Sequence, residues 1–495
     1  MFLASLKQHP AGLRPLFFAE MWERMSYYGM RAMLVLFMVD AVENGGLGIT
    51  DKNATAIYGI YTAAVYLLAL PGGWIADRLI GAQRSVFWGG VIIAAGHFSL
   101  AVPGIHFFFL GLLLIAVGTG LLKPNIATIV GALYDENDRR RDAGFTLFYM
   151  GINMGAMMGP IICGGLGQSD MFGWHWGFAA AGVGMVIGLI EYRRGQFKLG
   201  EAGLVAGHPC KKPKQAWSII AISSVLAVAF AAAIGFGVLD ISAQKLAKHT
   251  AQAISLIFFV YFTYVILFGG LNDEEKKRSY LILVLCIASA VFWSGFEQAG
   301  SSLNLFADRY TDNVIDALSF TVPSSWYQSL NAMFIVLLAP VFSMFWVALA
   351  KRYMEPSAPI KFAFGLLLLA AGFGMMIFAA NIVTGGSKAA PYWLILTYLL
   401  HTMGELCLSP VGLSAVSRLA PKSYHSQMMG LWFCASAIGN ILAGLLAGRF
   451  DSNSLQDFPE IYFQIVVMSA ACGLILMLGV AISRLSFAKS RRAHT

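Results

Sequence analysis

The stretch Ala19-Glu20-Met21-Trp22-Glu23-Arg24-Met25-Ser26-Tyr27-Tyr28-Gly29-Met30-Arg31 lies inside an otherwise apolar run, residues 15–42. A run of that length can cross a bilayer core, which takes about 20 residues. At about 100° per residue, positions 20, 23, 24, 27, 28 and 31 fall within about 140° of arc. One helix face therefore carries two carboxylates, two guanidinium groups and two phenols. A charge at a lipid-facing helix centre costs about 2.5–3.5 kcal/mol. Such a face must turn towards other helices or a watery cavity, so this helix belongs to a larger bundle.

The rest of the chain supplies the bundle. Of 495 residues, 58% are hydrophobic and 12% charged, against about 25% charged in soluble domains. Apolar runs predict helices near 15–42, 54–77, 85–104, 106–131, 143–168, 173–191, 216–239, 251–271, 279–300, 325–349, 360–381, 389–416, 425–448 and 461–483. Fourteen membrane helices would use about 280 residues, close to the hydrophobic share. A cytosolic enzyme, a secreted disulfide scaffold and a disordered chain are excluded. The fold class is an all-α polytopic membrane protein.

The net charge of +8 is a topology signal rather than a nucleic-acid footprint. With the N-terminus cytoplasmic, only Lys52, Lys245, Lys248, Arg309, Lys388 and Arg449 among the basic residues fall in outer segments. That bias follows the positive-inside rule and places both termini in the cytoplasm. Lys7 and Arg14 precede an apolar stretch too long for a signal peptide, and no cleaved leader is expected. Six cysteines, five of them within helices, give neither a disulfide framework nor a metal cluster with histidine. No metal and no cofactor are expected.

The helices group as six, two and six. Glu191-Tyr192-Arg193-Arg194 and the polar stretch through Lys211, Lys212, Pro213 and Lys214 mark the first boundary, and Asp273–Arg278 introduces the last six helices. The domains are accordingly 1–195, a linker with a two-helix hairpin at 196–275, and 276–495. Twelve core helices in two six-helix bundles resemble the major facilitator fold, whose substrate site lies at mid-membrane. Gly72-Gly-Trp-Ile-Ala-Asp77-Arg78-Leu-Ile-Gly81, with Arg84 nearby, resembles the charged loop after helix 2 in that superfamily. The inserted hairpin carries no buried charge and reads as peripheral packing.

Seven ionisable residues fall inside the expected spans: Glu20, Glu23, Arg24, Arg31, Lys123, Glu297 and Glu405. Facing lipid, together they would cost on the order of 20 kcal/mol, more than a protein's whole net stability. They must face a cavity or one another, and three cations against four anions leave about one carboxylate to titrate. Around them stand Lys123-Pro124-Asn125, Tyr149 and Asn153 one turn apart, and Gly151 and Gly155 as a small-xxx-small seam. Trp293 shares a face with Glu297, and His401, Glu405 and Ser409 share another; Asn331 and Trp432 lie within later helices. His401 reads as a satisfied interior histidine.

These residues resemble the proton-dependent oligopeptide transporter family, in its bacterial form. The stripe Glu20-x-x-Glu23-Arg24-x-x-Tyr27-Tyr28-Gly29 is similar to its most specific signature, and Phe148-Tyr149-x-x-Ile152-Asn153-x-Gly155 to its second. Phe296-Glu297-Gln298 with Trp293, and Glu405 with Ser409-Pro410, resemble further family patterns. The resemblance implies that Glu20, Glu23, Arg24 and Glu297 couple proton to substrate. It implies that Arg24, Tyr28 and Lys123 hold the peptide carboxyl end, that Asn153, Asn331 and Glu405 hold the amino end, and that Arg31 and Ser409 also belong to the substrate site. Tyr149, Trp293 and Trp432 would line side-chain pockets, and Arg31–Glu297 and Lys123–Glu405 would be salt bridges between the bundles. Met25, Ala156 and Ala332 depart from the family pattern without removing a charge, and Gly59 stands where animal members carry a histidine.

The expected function is proton-coupled import of di- and tripeptides by alternating access between two helical bundles. The rival readings are a carrier of nitrate, drugs or other small solutes on the same fold, or a non-transporting receptor. An enzyme is not expected, since no nucleophile stands with a base and no metal cluster is present. The expected partners are small peptides, protons and the lipid bilayer of the plasma membrane (the inner membrane of a Gram-negative cell), with the chain monomeric and no nucleic acid bound.

Overall fold

The structure, a computed structural model, describes residues 8–135, 138, 140–235, 242–449 and 457–493. The expected helix end at 236–239 and the outermost residues of the first and last domains lie outside the described residues. A long helix occupies every expected segment: α1 Leu13–Val39, α2 Asp51–Ile75, α3 Ala82–Leu100, α4 Ile105–Ala132, α5 Arg141–Gly159, α6 Trp174–Gly195 and α7 Pro213–Gly235. The series continues with α8 Ala243–Phe268, α9 Asp273–Phe296, α10 Ser329–Lys351, α11 Ala358–Thr384, α12 Tyr392–Leu419, α13 His425–Ala447 and α14 Phe458–Ala493. Among the described residues, ten helices are long and apolar enough to cross a membrane by length and composition. The four outside that set are α1, α3, α6 and α7; in α1 the reason is its own charged stripe. Length and composition thus carry ten of the fourteen expected crossings.

The chain divides into two compact units. Unit 1 is Met1–Asn53 with Ala64–Leu246, and unit 2 is Ala54–Ala63 with Ala247–Thr495.

In unit 1, α1 packs on α5 and α6, and α3 on α4 and α6. The α1–α5 seam is set by glycine. A Cβ at Gly151 would stand 2.9 Å from the Phe17 ring; one at Gly155 would strike the Met21 carbonyl and reach 2.9 Å from the Arg24 Cβ; one at Gly159 would come 2.5 Å from the Met25 carbonyl. Three glycines spaced four apart therefore let the backbones touch, as small-residue seams do in membranes.

Two expectations about connectors change. The charged stretch after α2 is helical through Ile80, as a wide turn Ala76–Ile80. It is held by the connector that follows α6. The His208 N–H donates to the Asp77 carbonyl and the Cys210 N–H to the Arg78 carbonyl, each at 3.0 Å. Gln83 Nε2 donates to the carbonyls of Gly200 and Ala202, both at 3.0 Å, and the Tyr192 hydroxyl donates to the Gln83 carbonyl at 3.0 Å. Gly81 makes the turn possible: its φ is +82°, and a Cβ there would come 2.7 Å from the Leu204 carbonyl. The connector is a strap laid over the start of α3.

In unit 2, α11 packs on α12 and α14, and α9 on α13. Asp273–Arg278 is the first turn of α9 itself, not a lead-in, because Asn272 and Glu275 form a capping box and three acids sit at the positive helix end. At its other end α9 tightens into a turn, Glu297–Gly300, followed by a short helix Ser302–Arg309 and a two-residue hairpin, β1 Val314–Ile315 with β2 Phe320–Thr321. From α8, Phe258, Phe262, Val265 and Ile266 enter the unit 2 core. Leu256, Ile257, Phe259, Val260, Leu267 and Phe268 of the same helix are exposed, an apolar stripe suited to lipid.

Gly155→Val should destabilise the protein by about 1–3 kcal/mol through overpacking of the α1–α5 seam, read as a lowered melting temperature in detergent. Gly374→Ala, where no atom lies within 4 Å of the added Cβ, should leave that temperature unchanged or slightly raised.

Candidate functional site

In unit 1, the stripe on α1 turns inward as its charges require. Glu20, Glu23, Arg24, Tyr27 and Arg31 are buried, and Tyr28 is half-buried. Arg24 Nε donates to Glu20 Oε1 at 2.8 Å, and Glu23 Oε2 lies 2.7 Å from the same nitrogen. Nε has one hydrogen and can align with one acceptor. Glu23 is thus ion-paired without a hydrogen bond: both its oxygens, Glu20 Oε2 and Arg24 Nη2 have no hydrogen-bond partner among the described residues. With both acids ionised the trio carries a net charge of −1; with one proton it is neutral. Buried charge without a partner is expensive, and with both acids ionised the trio carries one negative charge more than Arg24 cancels.

The other cations stand nearby. Lys123 is within electrostatic reach of Glu23, and its Nζ lies 4.3 Å from the centre of the Tyr66 ring. The Arg24 guanidinium stands 5.7 Å from the Tyr27 ring and that of Arg31 5.6 Å from the Tyr28 ring, cation–π distances. Pro124 explains how Lys123 is placed. Proline has no N–H for the Gly120 carbonyl, and a Cβ at Gly72 would strike that carbonyl, so α2 and α4 touch one turn before the lysine. Asn125 then donates to Leu121 O at 2.7 Å and Ser85 Oγ at 3.0 Å. On α5, buried Asn153 donates to the Tyr149 carbonyl at 2.9 Å, while the Tyr149 side chain is 45% exposed.

In unit 2, Glu297 and Gln298 occupy the tightened turn after α9 and are buried. The Tyr58 hydroxyl donates to Glu297 Oε2 at 3.2 Å, and Gln298 Nε2 donates to the Ala443 carbonyl at 3.0 Å. Gly59, beside that tyrosine, leaves no space for a larger side chain: its Cβ would stand 3.1 Å from both the Asn440 carbonyl and the Gly444 Cα. Trp293 is half-buried against Gly439, whose Cβ would come 2.7 Å from the Trp293 Cβ.

Asn331 of α10 and Glu405 of α12 meet directly, Nδ2 to Oε2 at 2.9 Å, and Asn331 Nδ2 also reaches Thr402 Oγ1 at 3.0 Å. Ser409, one turn on, is half-buried. Trp432 is buried against Gly412 and stands 6.2 Å from the Phe362 ring. His401 is interior, 4.7 Å from the Phe373 ring, but it is not fully satisfied. Its Nε2 has no hydrogen-bond partner among the described residues, because the glycine face of α11 covers it: a Cβ at Gly372 would lie 2.6 Å from that nitrogen.

Three contacts were missed from sequence: Tyr58 on Glu297, Tyr66 on Lys123 and Thr402 on Asn331. Tyr58, Thr62 and Tyr66 recur every four residues in an apolar span, a hydroxyl stripe that marks one face of α2.

A family model described as the POT family matches residues 83–462. A peptide transporter of Yersinia enterocolitica is 42% identical over 484 residues, covering 95% of this chain and 94% of the relative. A di-/tripeptide transporter of Lactococcus lactis subsp. cremoris is 36% identical, covering 95% of each. The crystal structure of a peptide transporter POT in complex with sulfate superposes with a TM-score of 0.89 at 40% identity, covering 96% of this chain and 95% of that one.

Arg24→Gln leaves two buried carboxylates without their cation and should cost about 3–5 kcal/mol. Adding Glu23→Gln removes one of the two and should recover about half of that loss, measured by thermal unfolding of the single and double variants in detergent.

Proposed function

The chain belongs to the POT family, and from that premise we propose that it imports di- and tripeptides with protons across the plasma membrane by alternating access, as a multi-pass monomer with both termini cytoplasmic. The observation that carries the proton half of this reading is the trio on α1: two buried carboxylates converge on one Arg24 Nε. A proton on Glu20 or Glu23 neutralises the trio and loosens its grip on Arg24, which is then available to a peptide carboxylate. Arginine keeps its charge throughout and binds carboxylates bidentately. Tyr28, Arg31 and Lys123 add to that end of the site.

The amino end falls to acceptors. Glu405 and Asn331 present oxygen to an ammonium group, with Asn153 and Ser409 as further polar groups and Tyr149, Trp293 and Trp432 meeting side chains. Glu297, which accepts from the Tyr58 hydroxyl, is the further position assigned to proton coupling. Recognition of the two termini leaves the side chains between them loosely specified, which suits a carrier of many short peptides. Inward movement of one positive charge gains about 2.3 kcal/mol per 100 mV, enough to accumulate substrate.

Labelled di-alanine taken up by proteoliposomes under an inward proton gradient tests the assignment. Glu20→Gln keeps an oxygen for Arg24, so it should fold, lose proton-driven accumulation and retain exchange of peptide for peptide. Accumulation that survives in this variant would remove the proton from α1. Unlabelled dipeptides should compete and nitrate should not.

A further inference from the structure

The amide of Asn331 has an orientation that only Thr402 fixes in every charge state of Glu405. Thr402 is fully buried, and its hydroxyl hydrogen is used one turn back, on the Tyr398 carbonyl at 2.7 Å. Towards Asn331 the hydroxyl oxygen can therefore only accept. It accepts from Nδ2 at 3.0 Å, while Glu405 Oε2 accepts from the same nitrogen at 2.9 Å. Both amide hydrogens are then spent inside the protein, and the atom with bonding capacity to spare is the carbonyl Oδ1. An ionised Glu405 would hold the amide this way by itself. A protonated Glu405 can donate to Oδ1 instead and would let the amide turn over, bringing N–H groups to the ligand.

We propose that Thr402 is a specificity-determining positioning residue: it locks the Asn331 amide so that an acceptor, never a donor, meets the substrate's amino group. The lock favours a free ammonium over a blocked or acylated amine, whether or not Glu405 carries a proton. This rests on the reading that Asn331 and Glu405 bind the peptide amino terminus.

Thr402→Val keeps the shape and removes the accepting oxygen, and Thr402→Ser restores it. Both are compared with wild type for uptake of di-alanine and for inhibition by N-acetyl-di-alanine in proteoliposomes. One net hydrogen bond is worth about 0.5–1.5 kcal/mol, so Thr402→Val should raise KM for di-alanine about three- to tenfold at little change in maximal rate. The preference for the free over the acetylated peptide should shrink by the same factor, and Thr402→Ser should return both to wild type. Thr402→Ala serves the same purpose should the valine variant fail to fold. An unchanged preference in a folded Thr402→Val or Thr402→Ala protein overturns the inference, as does a loss confined to maximal rate. Glu405→Ala separates the two levels. If it abolishes the preference while Thr402→Val does not, the positioning role alone fails; if it too leaves the preference intact, the amino-terminus reading fails and takes the inference with it.

Discussion

One guanidinium nitrogen serving two buried carboxylates is the constraint around which unit 1 is organised. Arg24 cannot satisfy Glu20 and Glu23 at once with a single Nε hydrogen, and neither acid can be left in contact with lipid. The neighbours follow from this. The glycine seam of α5 brings backbone against α1 and admits no side chain that would push Arg24 aside, and α4 carries Pro124 beside Lys123. A structure optimised for stability alone would replace such a trio with well-packed apolar side chains, which are often as stable or more so.

In unit 2, two carboxylates accept from neutral donors: Glu297 from Tyr58 and Glu405 from Asn331. A neutral donor orients an acid without cancelling its charge.

The fold was largely legible because the bilayer enforces it. A helix that must bury every backbone polar group and fill a hydrocarbon core leaves a long apolar run, and each expected run is a helix. The charges were legible for the same reason, since the membrane penalises them wherever they have no task. Hydroxyls are different. Tyr58 and Thr402 cost little in an apolar helix, where a threonine can bond its own i−4 carbonyl; the four-residue recurrence of Tyr58, Thr62 and Tyr66 is the one signal for the first, and Thr402 has none. Helix ends were also obscure. The first turn of α9 is highly charged and reads as a loop until the Asn272–Glu275 box is seen, and the continuation of α2 to Ile80 depends on hydrogen bonds from a segment some 130 residues away.

That segment has a consequence for the shape of the chain's freedom. Between the end of α6 and the start of α7 lie the residues 196–212, enough for a loose tether, yet they are tied at Gly200, Ala202, Gly203, His208 and Cys210 to the start of α3 and the turn before it. Between those ties the longest stretch is the four residues 204–207. A protease that readily nicks exposed polar loops would find little purchase here, and a peptide tag inserted within 200–210 would unlatch α3 rather than hang harmlessly in solvent. The longest connector of this half is, mechanically, among its shortest.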